Sequence, residues 1–155
     1  MNYDISLFVL VIAMAVFAYT DIKERRIPNP LLLTLLLSWG VLRILQHVFP
    51  AGERAFSFVG VSITGALLGA AICGGIFLLA YILGRGKLGA GDVKLAFVTG
   101  LFMGIDSGLM AMLIGMIAYV LYVLVFVRRK KISLKDALPL APFILAGVVT
   151  VLFLK

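Results

Sequence analysis

The chain has 155 residues, 63% of them apolar, with a mean hydropathy of +1.18 and a formal charge of +7. Soluble domains average roughly 45–50% apolar residues, so this composition excludes an ordinary soluble enzyme and points to one membrane-embedded domain over residues 1–155. The basic excess does not call for nucleic acid, because it sits in short loops between apolar stretches, where it reports orientation.

In chain order the sequence predicts six apolar spans: Ile5–Thr20, Pro30–Val48, Phe56–Leu83, Val93–Gly104, Gly108–Val127 and Leu138–Leu154. The first has no basic n-region and no small-residue cleavage site before a polar domain, so it reads as a retained helix rather than a signal peptide. Crossing ~30 Å of hydrocarbon takes ~20 helical residues, and the fourth span is short. From Asp92 to Asp106 a helix covers roughly 21 Å, which leaves Asp92 below the headgroups in a wet, protein-lined cavity or requires a thinned bilayer.

The loops alternate in charge. Lys23, Arg25 and Arg26 follow span one; Arg85, Lys87 and Lys94 surround the turn before span four; Arg128, Arg129, Lys130, Lys131 and Lys135 follow span five. These are eleven of the fourteen basic residues, and a six-span arrangement puts them all on one side. The positive-inside rule makes that side cytoplasmic and both termini extracytoplasmic. The predicted fold is therefore all-α, a polytopic bundle of six transmembrane helices in the inner (plasma) membrane.

Local signals mark helix ends. Asn29 before Pro30 is expected to be the N-cap of span two. Ser133 with Asp136 resembles a capping box, and Pro139 and Pro142 are expected to kink or restart the last span. Gly65 and Gly69, and Gly100, Gly104 and Gly108, recur at four-residue spacing. That pattern lets membrane helices approach backbone to backbone, and ordinary tight packing suffices to explain it.

Few residues offer chemistry. His47, the sole histidine, falls on the side away from the basic loops, so a Ser/His hydrolase lacks its base. The one cysteine, Cys73, lies in an apolar stretch, and no ligand-spaced cluster suggests a metal. Glu24 beside Asp21 is crowded by Lys23, Arg25 and Arg26. No metal and no cofactor are expected.

What remains is Asp21, closing span one, and Asp92, opening span four behind Gly89-Ala90-Gly91. Carboxylates at membrane depth are functional candidates by default, although each alone is equally well a loop charge at a helix end. Two such groups sharing a proton can act as base and acid in peptide hydrolysis by water. Gly89 and Gly91 allow a tight turn and close approach of a substrate strand. Asp92 opens a helix, where the macrodipole favours an anion, and has Lys94 near it; Asp21 closes one, where an anion is disfavoured. Asp92 is thus the expected ionised member, within a pair that titrates as a unit.

The segment Asp21–Asn29, ending Ile27-Pro28-Asn29, together with the GxGD run Gly89–Asp92 and Leu138-Pro139-Leu140-Ala141-Pro142-Phe143, resembles the type IV prepilin peptidases, short-form members for Flp-type pili or archaeal preflagellins in particular. The resemblance implies an intramembrane aspartic endopeptidase with Asp21 and Asp92 catalytic. It would remove the short basic leader of a prepilin or pseudopilin at the cytoplasmic face, after a glycine. Gly89, Gly91, Lys94, Arg25, Arg26, Pro28 and Asn29 would shape the site or touch substrate. The chain lacks the paired-CxxC cytoplasmic domain of the larger bifunctional members, so methyl transfer is not expected. Expected partners are the prepilin and membrane lipid. The basic run Arg128–Lys131 reads as a topology signal or a contact to anionic lipid; it or Arg25 and Arg26 could also attract the acidic residue such substrates carry after the cleavage point. The rival from another class is a non-enzymatic carrier or assembly subunit, which would want an acidic residue near mid-span.

Overall fold

A computed structural model describes residues 3–24, 28–49, 56–57, 59–84, 89–128 and 139–154. Its elements are β1 (Tyr3–Asp4), α1 (Ile5–Glu24), α2 (Asn29–Val48), β2 (Phe56–Ser57), α3 (Ile63–Leu83), α4 (Ala90–Arg128) and α5 (Ala141–Leu154). The two strands are a short parallel pairing, Tyr3 with Phe56 and Asp4 with Ser57; the other elements among the described residues are helices, in agreement with the all-α expectation. The expectation of six separate spans is corrected to five helices. Four of them, α1 to α4, are long and apolar enough to cross a membrane, and α5 is shorter.

The difference lies in α4, which takes up the predicted fourth and fifth spans as one element. It is continuous in chain but not in direction. Gly104 has φ 76° and ψ −171°, outside helical geometry and in a region that a side chain disfavours. A Cβ built on Gly108 would lie 3.3 Å from the Cα of Gly100, whereas eight residues of straight helix advance about 12 Å. Residues 90–103 and 105–128 therefore run back along one another as two arms of a hairpin.

Glycines make the hairpin and its neighbours pack. A Cβ on Gly100 would strike the carbonyl of Gly69 in α3, and one on Gly69 would lie 2.6 Å from the Gly104 carbonyl carbon. On the second arm, a Cβ on Gly115 would be 2.7 Å from the Phe143 oxygen, and one on Gly147 of α5 would strike the Ala111 carbonyl. These backbones meet with no room for a methyl group, as small-residue interfaces between membrane helices do. α3 thus packs on α4, α4 on α5, and α5 on α1, around Leu10, Met14, Phe17, Phe102, Ile144 and Val148. The outward faces carry exposed Ile12, Leu33, Leu37, Leu79 and Leu113, which suits contact with lipid.

α2 is attached differently. Only Leu32 and Leu35 are buried along its length. Its Asn29 end is tied by Lys94 Nζ, which donates to Asn29 Oδ1 at 2.7 Å. Toward its other end Arg43 donates to the Val61 carbonyl and lies 5.2 Å from the Trp39 ring, while Gln46 Oε1 accepts from Val59 N at 2.6 Å. The helix is clamped by polar contacts at both ends and loosely packed between them.

Three boundaries differ from expectation. Asn29 is the first helical residue rather than the cap; Pro28, at φ −69° and ψ 125°, holds the cap position, because the Asn29 side chain is engaged by Lys94. α3 begins at Ile63 and not at Phe56, with Ser62 Oγ capping it by accepting from Gly65 N at 3.0 Å. α5 begins at Ala141 and not at Leu138, with Pro142 in its first turn. The Ser133–Asp136 motif lies outside the described residues.

Replacing Gly100 or Gly147 by Ala is expected to destabilise the protein by roughly 1–3 kcal/mol or more through overpacking against backbone. Gly40, where a Cβ meets nothing within 4 Å, should accept Ala with no loss. Thermal unfolding of the purified variants in detergent checks the contrast.

Candidate functional site

Along α1 the buried residues Leu10, Met14, Phe17 and Asp21 recur at steps of four, three and four, the spacing of one helical face. Asp21 is the last member of this core stripe and is only 7% exposed. A carboxylate at a position that otherwise faces hydrocarbon side chains needs a partner. It finds one in α5: Ala141 N donates to Asp21 Oδ2 at 3.0 Å.

That bond follows from how α5 starts. The Leu140 carbonyl accepts from Phe143 N at 3.0 Å and from Ile144 N at 3.2 Å, which makes Leu140 the cap residue. Of the first-turn donors that a helix leaves without intrahelical partners, Pro142 has none to offer. Ala141 has one, and Asp21 accepts it from across the chain.

Asp92 occupies the matching place on α4. Gly89 N donates to Asp92 Oδ2 at 3.2 Å, while Asp92 N donates to the Gly89 carbonyl at 3.0 Å. This is the acidic half of a capping box, with the third helical residue reaching back to the cap. A Cβ on Gly89 would sit 3.0 Å from Asp92 Oδ2, so the first glycine of the GxGD run leaves the space this back-bond uses. Gly91 is half-buried in the same turn.

The two carboxyls, 71 residues apart in sequence by their numbers, stand within electrostatic reach, and the charge of Asp21 acts on Asp92. Each lies at a helix N-terminus, one its own and one borrowed. The separation of the two acids by their own helices' dipoles therefore loses its basis. Asp21 ends α1 but faces the positive end of α5, where an anion is favoured as it is for Asp92.

Lys94 points elsewhere than expected. Its ammonium is engaged with Asn29 Oδ1, so Lys94 and Asn29 join α4 to α2 beside the pair. Pro28 supplies the carbonyl that accepts from Leu32 N at 3.3 Å at the start of α2. Arg25 and Arg26 lie outside the described residues, as do Arg129, Lys130 and Lys131. His47 is exposed in the last turn of α2, at the opposite end from Asn29. Among the described residues no group of three His, Cys, Asp or Glu side chains could hold a metal ion.

Sequence reasoning missed an aromatic wall. Tyr119, on the second arm of α4, lies within the electrostatic reach of Asp92 and packs edge-on against Phe143 at 5.5 Å and 82°. Tyr122 flanks Phe143 at 5.3 Å and stacks on Phe126 at 4.3 Å. The rings brace the first turn of α5, the turn that holds Asp21. No local signal marks Tyr119, which nears Asp92 only because α4 doubles back.

The family model described as the type IV leader peptidase family matches residues 8–124, from the first turn of α1 almost to the end of α4. The chain belongs to the type IV leader peptidase family. Both acids fall inside the matched region, and the α5 donor to Asp21 lies beyond it. No curated protein and no solved structure matches this leader-peptidase chain.

Because both acids satisfy helix-start donors, Asn and Ala variants should separate. Asp21→Ala and Asp92→Ala each lose an acceptor and should destabilise by about 1 kcal/mol, the usual worth of a cap. Asp21→Asn and Asp92→Asn keep an oxygen acceptor and should remain near wild type. Unfolding in detergent, with hydrogen exchange at Ala141 and Gly89, reads the difference.

Proposed function

We propose that this member of the family is an intramembrane aspartic endopeptidase. It would remove the short basic leader of a type IV prepilin or pseudopilin at the cytoplasmic face of the membrane. What supports the reading is that Asp21 and Asp92 each accept from a backbone N–H at a helix start and lie within Coulombic range of one another. Membership of a leader peptidase family supplies the reaction class.

In this reading the pair shares one proton, since two adjacent carboxylates resist double ionisation. The ionised member takes a proton from water as the water oxygen attacks the scissile carbonyl carbon. The protonated member donates to the carbonyl oxygen, giving a neutral tetrahedral diol. On collapse, the carboxyl that took the water proton passes it to the leaving nitrogen, while the other, now ionised, takes a proton from a diol hydroxyl, so the peptide bond breaks and both acids are restored. The N–H groups of Gly89 and Ala141 hold one oxygen of each carboxyl, leaving the other for water and substrate. Gly91 and Pro28 shape the surrounding turns, and Arg25 and Arg26 follow Asp21 closely enough in sequence to meet the substrate's polar side.

The cytoplasmic assignment rests on charge. Lys23 and Arg128 close α1 and α4, with the remaining basic loops adjoining the same ends in sequence. The reading counts the two arms of α4 as opposite crossings, with α5 returning outward, so that both acids share the positively charged side.

Co-expression with a prepilin tests the proposal. Leader removal should fall at least about 10²-fold in Asp21→Asn and in Asp92→Asn, with membrane insertion and unfolding temperature retained. Full processing by either folded variant overturns the aspartic mechanism, and processing that proceeds equally without this chain leaves a carrier or assembly role.

A further inference from the structure

The second arm of α4 and α5 run antiparallel in a register that their glycines fix. A Cβ on Gly147 would strike the Ala111 carbonyl, and one on Gly115 would lie 2.7 Å from the Phe143 oxygen and 3.0 Å from the Ile144 Cα. About one turn further along α4 comes Tyr119, which this register sets level with Pro139 and Leu140, where α5 starts. Its ring meets Phe143 edge-on at 5.5 Å and 82°. Tyr122, one turn on and so on the same side of the helix, meets the same ring at 5.3 Å and 56°. Phe143 is thereby flanked by two rings of one helix, in the same first turn of α5 as the Ala141 N–H that donates to Asp21.

The phenol of Tyr119 also lies within reach of the charge of Asp92. One side chain from a third stretch of chain therefore packs on the turn that holds Asp21 and stands in the field of Asp92. A tyrosine serving only as an interfacial anchor lays its ring against lipid with the hydroxyl at the headgroups. Tyr119 is half-buried and turns its ring onto α5 instead. A ring needed only for core volume has no use for a hydroxyl, whereas beside carboxyls that admit water the polar tip is wetted while the ring stays dry.

We infer that Tyr119 is a positioning residue for the acid pair: its ring, seated on Phe143, holds the first turn of α5 in place and so sets how near Asp21 stands to Asp92. Asp92 is tied to its own turn through Gly89, whereas Asp21 depends on where α5 has docked. The adjustable partner is Asp21, and Tyr119 acts on it through Phe143. The spacing matters because two carboxyls share a proton only while they are close enough to resist ionising together. The inference rests on the peptidase reading for its effect on rate, and not for the contact itself.

Tyr119→Phe keeps the ring and Tyr119→Leu removes it; Tyr81→Leu, near the end of α3, is the control for loss of a tyrosine. The substrate is a peptide with a basic leader, a junction glycine and an apolar helix, in phosphatidylethanolamine–phosphatidylglycerol vesicles. Tyr119→Leu should lower kcat about 10- to 100-fold with KM unchanged, the scale on which a reacting group displaced by ~1 Å loses rate. Tyr119→Phe should keep kcat near wild type, and Tyr81→Leu should change neither constant. A wild-type kcat in Tyr119→Leu, a loss confined to KM, or a loss in Tyr119→Phe as large as in Tyr119→Leu overturns the assignment.

Hydrogen exchange in the intact protein reads the same contact without turnover. Tyr119→Leu should speed exchange at Ala141 roughly 2- to 10-fold, the factor that one aromatic pair represents. Gly89 should exchange as before, because Asp92 holds it within a single turn. Phe143→Leu breaks the contact from the α5 side and should give the same pair of results, so the inference does not hang on one variant folding. Equal acceleration at both sites is a general loosening of the bundle and overturns the assignment, as does no acceleration at Ala141. Normal processing by Asp21→Asn and Asp92→Asn, alongside selective exchange at Ala141, sinks the peptidase reading and leaves the positioning of Asp21 by Tyr119 standing.

Discussion

A backbone N–H at a helix start has no partner within its own helix and must find one outside it. At two helix starts in this protein, Gly89 and Ala141, that partner is a carboxylate oxygen. The acids are therefore placed by the requirements of helix termination before any substrate is considered. Asp92 serves its own helix through a local turn, so its position follows from four consecutive residues. Asp21 serves a helix 120 residues further along the chain, so its position exists only once α5 has docked on α1. One group in each case is both a structural acceptor and the candidate for chemistry.

The docking of α5 depends in turn on the reversal at Gly104. With α4 straight, its second half would point away from Asp92, and Tyr119 and the surface that receives α5 would be remote from the site. The reversal is held by backbone against backbone, Gly69 with Gly100 and Gly104, and Gly108 against Gly100. Contacts of this kind leave little freedom to slide, because any shift along the helix axis brings a side chain into a space that admits none. The hairpin consequently fixes the first arm relative to the second. Through Gly115 and Gly147 the second arm then fixes α5, and through Ala141 that register reaches Asp21.

Much of this was legible in the sequence wherever the signal was local. The apolar runs found the helices, and the two acids were singled out by depth and by the turn before Asp92. The burial of Asp21 was also readable, since Leu10, Met14 and Phe17 precede it on the same face. What escaped depends on partners that leave no mark in sequence. A backbone N–H is the same at every residue, so nothing announced that Ala141 would hold Asp21, and the dipole argument considered only the helix Asp21 ends. Asn29 before a proline has the form of a cap, yet a lysine 65 positions on takes its side chain instead. Gly104 was read as packing material, which it is, but its positive φ is a tertiary requirement that the four-residue spacing does not encode.

Firmness is unevenly distributed through the bundle, and the unevenness follows from the same physics. α1, α3, α4 and α5 enclose the interlocked core, so the elements bearing Asp21 and Asp92 both belong to it. α2 buries little and is kept at its distance by a few polar bonds at its ends. In water such bonds would add little, but where surrounding groups are apolar their loss leaves unpaired donors and acceptors behind. Local opening draws on regions with few buried apolar contacts, which places compliance in α2 and not in the acid pair. The two candidate acids stand on elements of the interlocked core, and α2, which carries neither, is the one with the fewest buried contacts.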